Sequence, residues 1–365
     1  MNFKRFGAIT ALALVGSFAL ASCSSTTEPT PSDTETPVAL SGDLAGAGAS
    51  SMGAGQTVWI AGFSGIQSQV TVSYDAVGSG GGRTAFKEGG VQFAGSDRAL
   101  KVEELEGNAR CVAGTKAIDL PVWISPIAII FNLDGVKSLN LDADTIANIF
   151  SGKITKWNDP AIVAQNSGVT LPALDITRVV RSDNSGTTGN FTDYLAQAAP
   201  DAWPVDASFE TWDADWASTA ERADGTSGLV TAVKAGQGTI GYADASRAGE
   251  LGTVSVKVGE KYVAYSPEAA AAVVDASPLD AREANDIVVK LDRNTTASGV
   301  YPIVLISYAI ACSEYQNAND AALVKAYLSY IASADGQKAA AAKAGNAPLS
   351  SAMAEKIASA IASIK

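Results

Sequence analysis

The chain has 365 residues, with 26 lysines and arginines against 38 aspartates and glutamates, no histidine and three cysteines. Without histidine there is no Ser-His-Asp triad, no Cys-His dyad and no histidine-based zinc or iron site. A formal charge of −12 argues against a bulk electrostatic grip on nucleic acid or on an anionic membrane. A hydrophobic content of 47% over this length fits a globular chain of roughly two domains.

The N-terminus reads as an address. Lys4 and Arg5 form a short positive region, and Phe6 to Leu20 is largely apolar. That run is too short to span a bilayer and suits the core of a signal peptide. It ends in Leu20-Ala21-Ser22-Cys23, which resembles the bacterial lipobox, where the cysteine is diacylated and becomes the first residue. The expectation is a leader over 1–22, lipidation at Cys23 and a mature chain of charge −14, because the leader removes two basic residues and no acidic one. Residues 23–42, rich in Ser, Thr, Pro and Glu, bury too little surface to offset ordering and read as a flexible tether. With Cys23 lipidated, Cys111 and Cys312 remain, an even number in an oxidising compartment, so a Cys111–Cys312 disulfide is expected.

The body reads as α/β. Strands are expected at 70–76, where apolar and polar residues alternate, and in the apolar or β-branched runs at 91–95, 122–131, 176–180, 239–242 and 301–311. Helices are expected at 143–150, 189–199, 229–235, 321–332 and 351–364. Such mixtures form sheets covered by helices and bind ligands beyond strand C-termini, at helix N-termini.

Three turns rich in glycine and hydroxyls carry the chemistry. They are Gly46 to Ser51 (GAGASS), Gly78 to Gly82 (GSGGG) and Arg181 to Thr188 (RSDNSGTT). Glycines let backbone N–H groups approach a ligand, hydroxyls donate, and a helix start favours an anion. Phe93 to Asp97 adds a strand that runs into an acid. Gly80 to Ala85 also fits a dinucleotide fingerprint, but Gly89-Gly90 interrupts its helix and no acid ends a strand twenty residues on. There is no P-loop.

In this order GAGAS, VGSGGG, FAGSD and VVRSDNSGTT resemble the periplasmic phosphate-binding subunit of the high-affinity phosphate ABC importer, the PstS family. FSGKITKWNDP at 150–160, GTIGYA at 238–243 and Tyr301-Pro302-Ile303 are similar to it as well. The resemblance implies a two-lobed, type II periplasmic-binding-protein fold, α/β, with two mixed sheets, flanking helices and a hinge. Lobe one would take 43–124 and 261–365 and lobe two 125–260, with the second crossing anywhere from 245 to 300. It implies that inorganic phosphate is held by Ser50, Ser51, Ser79, Asp97, Arg181, Asp183, Ser185, Gly186 and Thr187. Many members carry Thr-Phe where this chain has Ser50-Ser51, so Ser51 is expected to act through its backbone N–H. Gly80 stands at a frequent second serine, leaving Ser79 as the hydroxyl of that turn.

The physics agrees. Screening confines bulk charge to about 8–10 Å, so an acidic protein binds an anion through local donors. Arg181 is expected to fork onto phosphate oxygens, held in place by Asp183. An inward-facing Asp97 repels an anion unless the ligand brings a proton, which phosphate does near neutral pH and sulfate does not. The expected function is capture of phosphate for the membrane permease subunits of an ABC importer, by a lipid-anchored monomer with no metal, no cofactor and no nucleic-acid partner. The alternative is a phosphatase using Asp97 and Arg181; a role in signalling to a membrane sensor would change the partner and leave the pocket as it is.

Overall fold

The computed structural model describes residues 39–203, 205, 208–213 and 218–365. The expected leader, Cys23 and the expected tether up to residue 38 lie outside the described residues. The Leu40 N–H already donates to Gln67 Oε1 at 3.1 Å, so the folded body reaches back into the stretch at 23–42.

Strand β1 (Gly42–Gly48) pairs in parallel with β2 (Val70–Asp75) and β3 (Phe93–Ser96). The links between them are α1 (Gly53–Ser64) and α2 (Gly78–Lys87). Two expectations change here. Gly46 to Gly48 lie in β1, paired with β2 and β3, and form no turn; Gly48 must be glycine because a side chain there would run into the Gly95 carbonyl of the neighbouring strand. Gly78 to Gly82 already form the first turn of α2.

Next comes β4 (Ala117–Asn132), sixteen residues buried along almost their whole length. Its apolar run is covered on both faces, which removes the alternation a half-exposed strand would show. Then follow β5 (Ser138–Leu141), α3 (Ala143–Phe150), α4 (Pro160–Gln165) and β6 (Thr177–Arg181). They lead into α5 (Gly186–Ala198), β7 (Glu221–Ala223), α6 (Gly225–Ala235) and β8 (Thr239–Asp244). The strands β9 (Gly252–Val258) and β10 (Lys261–Val263) precede α7 (Pro267–Ala276) and β11 (Val304–Cys312). The chain closes with α8 (Ala318–Ala332), α9 (Ala334–Ala344) and α10 (Ser351–Ala362). Asp142, Asp159, Ser185, Ser266, Asn317, Ser333 and Ser350 each cap a helix with a side-chain oxygen, the residue types that free N–H groups select.

The main path of the sheet runs β2-β1-β3-β11-β4-β8-β6-β7, with β9 on β4 and β5 and β10 on β9. Parallel pairs (β1–β2, β6–β8) mix with antiparallel ones (β11–β4, β4–β8). The two sheets expected are thus two halves of one network. β4 is long enough to serve both, pairing with β11 over Ala117–Pro126 and with β8 over Ile127–Asn132.

Each half has its own core. One gathers Leu44, Trp59, Phe93, Leu120, Trp123 and Leu328, and the other Phe131, Phe150, Trp157, Phe191, Tyr242 and Tyr301. The disulfide expected from the cysteine count is present: Cys111 bonds Cys312 at the end of β11, with Cα atoms 5.2 Å apart, inside the first core. No helix among the described residues is long and apolar enough to cross a membrane.

Candidate functional site

The motif residues come together where four strands end. β1 leads into Ser50 and Ser51, β2 into Ser79, β3 into Asp97, and β6 ends at Arg181. Hydrogen bonds tie these ends to one another.

The Asp97 wall belongs to the first half. Asp97 is 3% exposed. Its Oδ1 accepts from the Ser51 and Ser307 hydroxyls, each at 2.6 Å, and its Oδ2 from Thr187 Oγ1 at 3.3 Å. The Asp97 N–H donates to Ser79 Oγ at 3.0 Å, and the Asp97 carbonyl accepts from Asn190 Nδ2 at 2.6 Å. Burial raises the Asp97 carboxyl above the ordinary aspartate range, while the hydroxyls of Ser307 and Ser51, the charge of Arg181 and the Thr187 hydroxyl pull it back. None of the salt bridges among the described residues involves Asp97.

The Arg181 wall belongs to the second half. The Arg181 guanidinium is 2% exposed. Nε donates to Asp183 Oδ1 at 2.7 Å, and Nη2 donates to Asp183 Oδ2 and, at 3.0 Å, to Ser50 Oγ. Asp183 therefore occupies the Nε edge of the fork, leaving the end-on edge with Nη1 as the one that can serve an anion. Asp183 thus holds the guanidinium, as expected from its place two residues on, and aims the end-on edge; its Oδ1 also accepts the Gly225 N–H at 3.0 Å.

Helix α5 starts between the walls. Ser185 Oγ accepts from the Thr188 N–H at 3.2 Å, so its hydroxyl caps the helix. Gly189 makes the first bond of the helical ladder, to the Ser185 carbonyl, which leaves the Gly186 and Thr187 N–H groups ahead of it. Gly186 must be glycine, since a Cβ there would sit 2.5 Å from both Asp97 Cβ and Ser79 Oγ. Such a helix start, flanked by Arg181 and ringed by hydroxyls, is suited to an oxyanion.

Every residue expected at the site is thus in one cluster. Ser51 differs in kind, because its side chain bonds Asp97. Four further residues take part that sequence patterns did not single out. Ser307 is a fully buried serine inside an apolar strand, a visible anomaly. Thr226, at the start of α6, bonds Ser50 Oγ through its N–H at 3.2 Å and through its hydroxyl at 3.0 Å. Asn190 links Asp97 to α5 and accepts from the buried Arg293. Glu210 Oε2 takes Arg83 Nη2 at 2.6 Å and Arg98 Nε at 3.1 Å, while its carbonyl accepts the Ser185 N–H at 2.9 Å. Among the described residues no group of His, Cys, Asp and Glu could hold a metal ion.

Comparison with known proteins agrees with this geometry. The family model described as the PBP superfamily domain matches residues 24–335. The curated phosphate-binding protein PstS 3 of Mycobacterium leprae is 38% identical over 267 residues, 71% of this chain and 70% of that protein. Phosphate-binding protein PstS 2 of Mycobacterium tuberculosis is 34% identical over 342 residues, 90% of each chain. Among solved structures, a phosphate-binding protein from Stenotrophomonas maltophilia aligns with a TM-score of 0.66 at 22% identity, covering 87% of this chain and 93% of that one. A high-affinity periplasmic phosphate-binding protein bound with phosphate aligns with the same TM-score at 23% identity and the same coverage. A fold carrying this cluster of donors, matched over nearly its whole length by such relatives, places the chain in the PstS family of phosphate-binding proteins within the PBP superfamily.

Proposed function

We propose that this protein is an extracytoplasmic solute-binding protein that captures inorganic phosphate between two lobes and delivers it to the permease subunits of an ABC importer. The observation that carries the reading is the meeting of donors from both halves at one point. Ser50 of the first half accepts hydrogen bonds from Arg181 and Thr226 of the second, beside the start of α5 and the buried Asp97. Phosphate oxygens would take the end-on edge of Arg181, the N–H groups of Gly186 and Thr187, and the hydroxyls of Ser50, Ser79 and Thr187. The phosphate proton would go to Asp97 Oδ2. Asp183 acts through Arg181, and Ser185 holds the helix start in place.

Residues 43–124 and 261–365 form one lobe in this reading and 125–260 the other. Support comes from the first core, which joins 44–123 to Ile287 and 309–364, and from β4 passing between the cores, while Ala269, Tyr301, Ile303 and Leu305 pack in the second core and draw the second crossing toward residue 305. Closure about that crossing would bury the ligand. The lipobox-like Leu20 to Cys23 supports a lipid anchor on the outer face of a membrane, and the protein acts as a monomer without a cofactor.

Calorimetry on protein stripped of endogenous ligand tests this. One phosphate per chain, bound without turnover of p-nitrophenyl phosphate, is the expected result. No saturable phosphate binding contradicts the reading, and steady release of nitrophenol points to an enzyme.

A further inference from the structure

Two hydroxyl groups converge on a single carboxylate oxygen. Ser51 and Ser307 both donate to Asp97 Oδ1 at 2.6 Å, while among the described residues Oδ2 receives Thr187 alone, at 3.3 Å. Ser51 and Ser307 come from opposite ends of the sequence and are 1% and 0% exposed. Ser307 reaches Asp97 from an irregular place in its strand. The register between β11 and β4 shifts between Ser307 and Tyr308, where Trp123 and Pro121 are the successive partners and Val122 is skipped. Such bulges re-aim a side chain next to functional sites. Pro121 has no N–H to give a regular ladder.

We propose that Ser51 and Ser307 are positioning residues that hold Asp97 in its ionised form with Oδ1 saturated and Oδ2 open to the ligand, and so enforce the preference for a protonated oxyanion. The inference rests on the phosphate-binding reading above and adds to it the device that keeps Asp97 an acceptor. A carboxylate only accepts, whereas a protonated carboxyl donates. Were Asp97 to take a proton of its own, it would offer that proton to any oxyanion, and a fully ionised anion such as sulfate would no longer be repelled. Burial drives Asp97 toward that neutral form, and short hydrogen bonds from hydroxyls to the charged form oppose it. With Oδ1 filled by two donors, a proton arriving from the ligand has Oδ2 as its place.

The charged and titratable groups around Asp97 are few. Arg181 approaches from β6. Tyr74 on β2 is kept neutral by its own burial and by Asp97. Arg83 on α2 lies behind Ser96, to whose hydroxyl it donates at 2.8 Å, Arg98 follows in the same loop, and Arg293 lies behind Asn190. Arg83, Arg98 and Arg293 each hold a carboxylate of their own, Glu210, Glu104 and Asp193 among them. The two serines, with Thr187 and Arg181, are what remains to stabilise the Asp97 charge.

The test uses Ser51→Ala, Ser307→Ala and the double variant, with sulfate affinity measured from pH 8 to pH 5.5. Sulfate does not titrate in that range, so a change reports on the protein. In the wild type, sulfate binding is expected to stay weak and flat. In the double variant it should strengthen about ten-fold or more as pH falls, because loss of two donors to the charged form raises the Asp97 carboxyl further and makes its protonation easier. A cooperative thermal melt of each variant shows that it is folded, and the sulfate affinity is read as its change with pH within each folded variant. A double variant whose sulfate affinity is as flat as the wild type's overturns the inference, as does the same pH dependence in the wild type. Failure of the wild type to bind phosphate instead strikes the underlying reading of the site.

Discussion

The site has two aspartates on opposite walls, and they are held in opposite ways. Asp183 grips a guanidinium with both oxygens, so its charge is matched and its geometry is fixed by an ion pair. Asp97 is more deeply buried and is held by three hydroxyls, with no salt bridge. An ion pair inside a protein aims a cation, because breaking one partner leaves a buried charge uncompensated. A carboxylate held only by hydroxyls keeps its ability to accept one more proton. One wall therefore supplies attraction, through Arg181 and the start of α5, and the other supplies discrimination.

The walls also differ in how their halves are built, which gives the largest expected effect. The Asp97 half is closed by Cys111–Cys312, across 201 residues of sequence, and among the described residues the Arg181 half has no such link. Replacing both cysteines by serine should cost about 5 kcal/mol in the chain-entropy account and lower Tm by several degrees. Phosphate affinity should stay within about two-fold, since neither cysteine touches the cluster. A large loss of affinity in a folded double variant would mean that the disulfide shapes the Asp97 wall as well.

Next in size is Arg181→Ala. A charge-assisted hydrogen bond contributes about 1.5–3 kcal/mol against roughly 1 kcal/mol for a neutral one, so phosphate should bind about 10- to 100-fold more weakly. Hydroxyl deletions at Ser50, Ser79 or Thr187 should cost less. Binding within two-fold of the wild type would place Arg181 outside the site and reduce its turn to a helix start. Asp183→Asn should have a smaller effect, a loss of roughly several-fold, because the guanidinium stays but loses its aim. If Asp183→Asn weakens binding as much as Arg181→Ala, the ion pair does more than aim the arginine.

Much of this was legible in the sequence, and the physics shows where legibility ended. Motifs within short windows carried the walls: Ser79, Asp97 and the run from Arg181 to Thr187 lie where strands pass into loops or helices, and local chemistry marks such places. The helix at 143–150 and the strand at 177–181 announce themselves through periodicity and a capping aspartate. Strand β1 does not, because Gly46 is set by the Phe93 ring and Gly48 by the Gly95 backbone of the neighbouring strand, and neither carries a strand signal of its own. Ser307 was hidden for a related reason. Its role depends on a bulge between β11 and β4, a pairing of residues far apart in the chain. Thr226 and Glu210 likewise gain their partners only when the two halves meet. The Arg181–Asp183 pair was legible because its two members lie two residues apart in one turn.

The account stands or falls on Asp97 as the selective acceptor. Asparagine is nearly the same size, carries no charge and offers an N–H₂ that donates to any oxyanion. Competition of sulfate against labelled phosphate, in the wild type and in Asp97→Asn at one pH and one salt concentration, measures the difference directly. A site built around one hydrogen bond rejects an analogue lacking it by about 10⁴–10⁵. The wild type should therefore exclude sulfate strongly, and Asp97→Asn should change phosphate affinity modestly while admitting sulfate far better. An unchanged sulfate-to-phosphate ratio in the variant would contradict the account and make Asp97 a structural residue at the end of its strand.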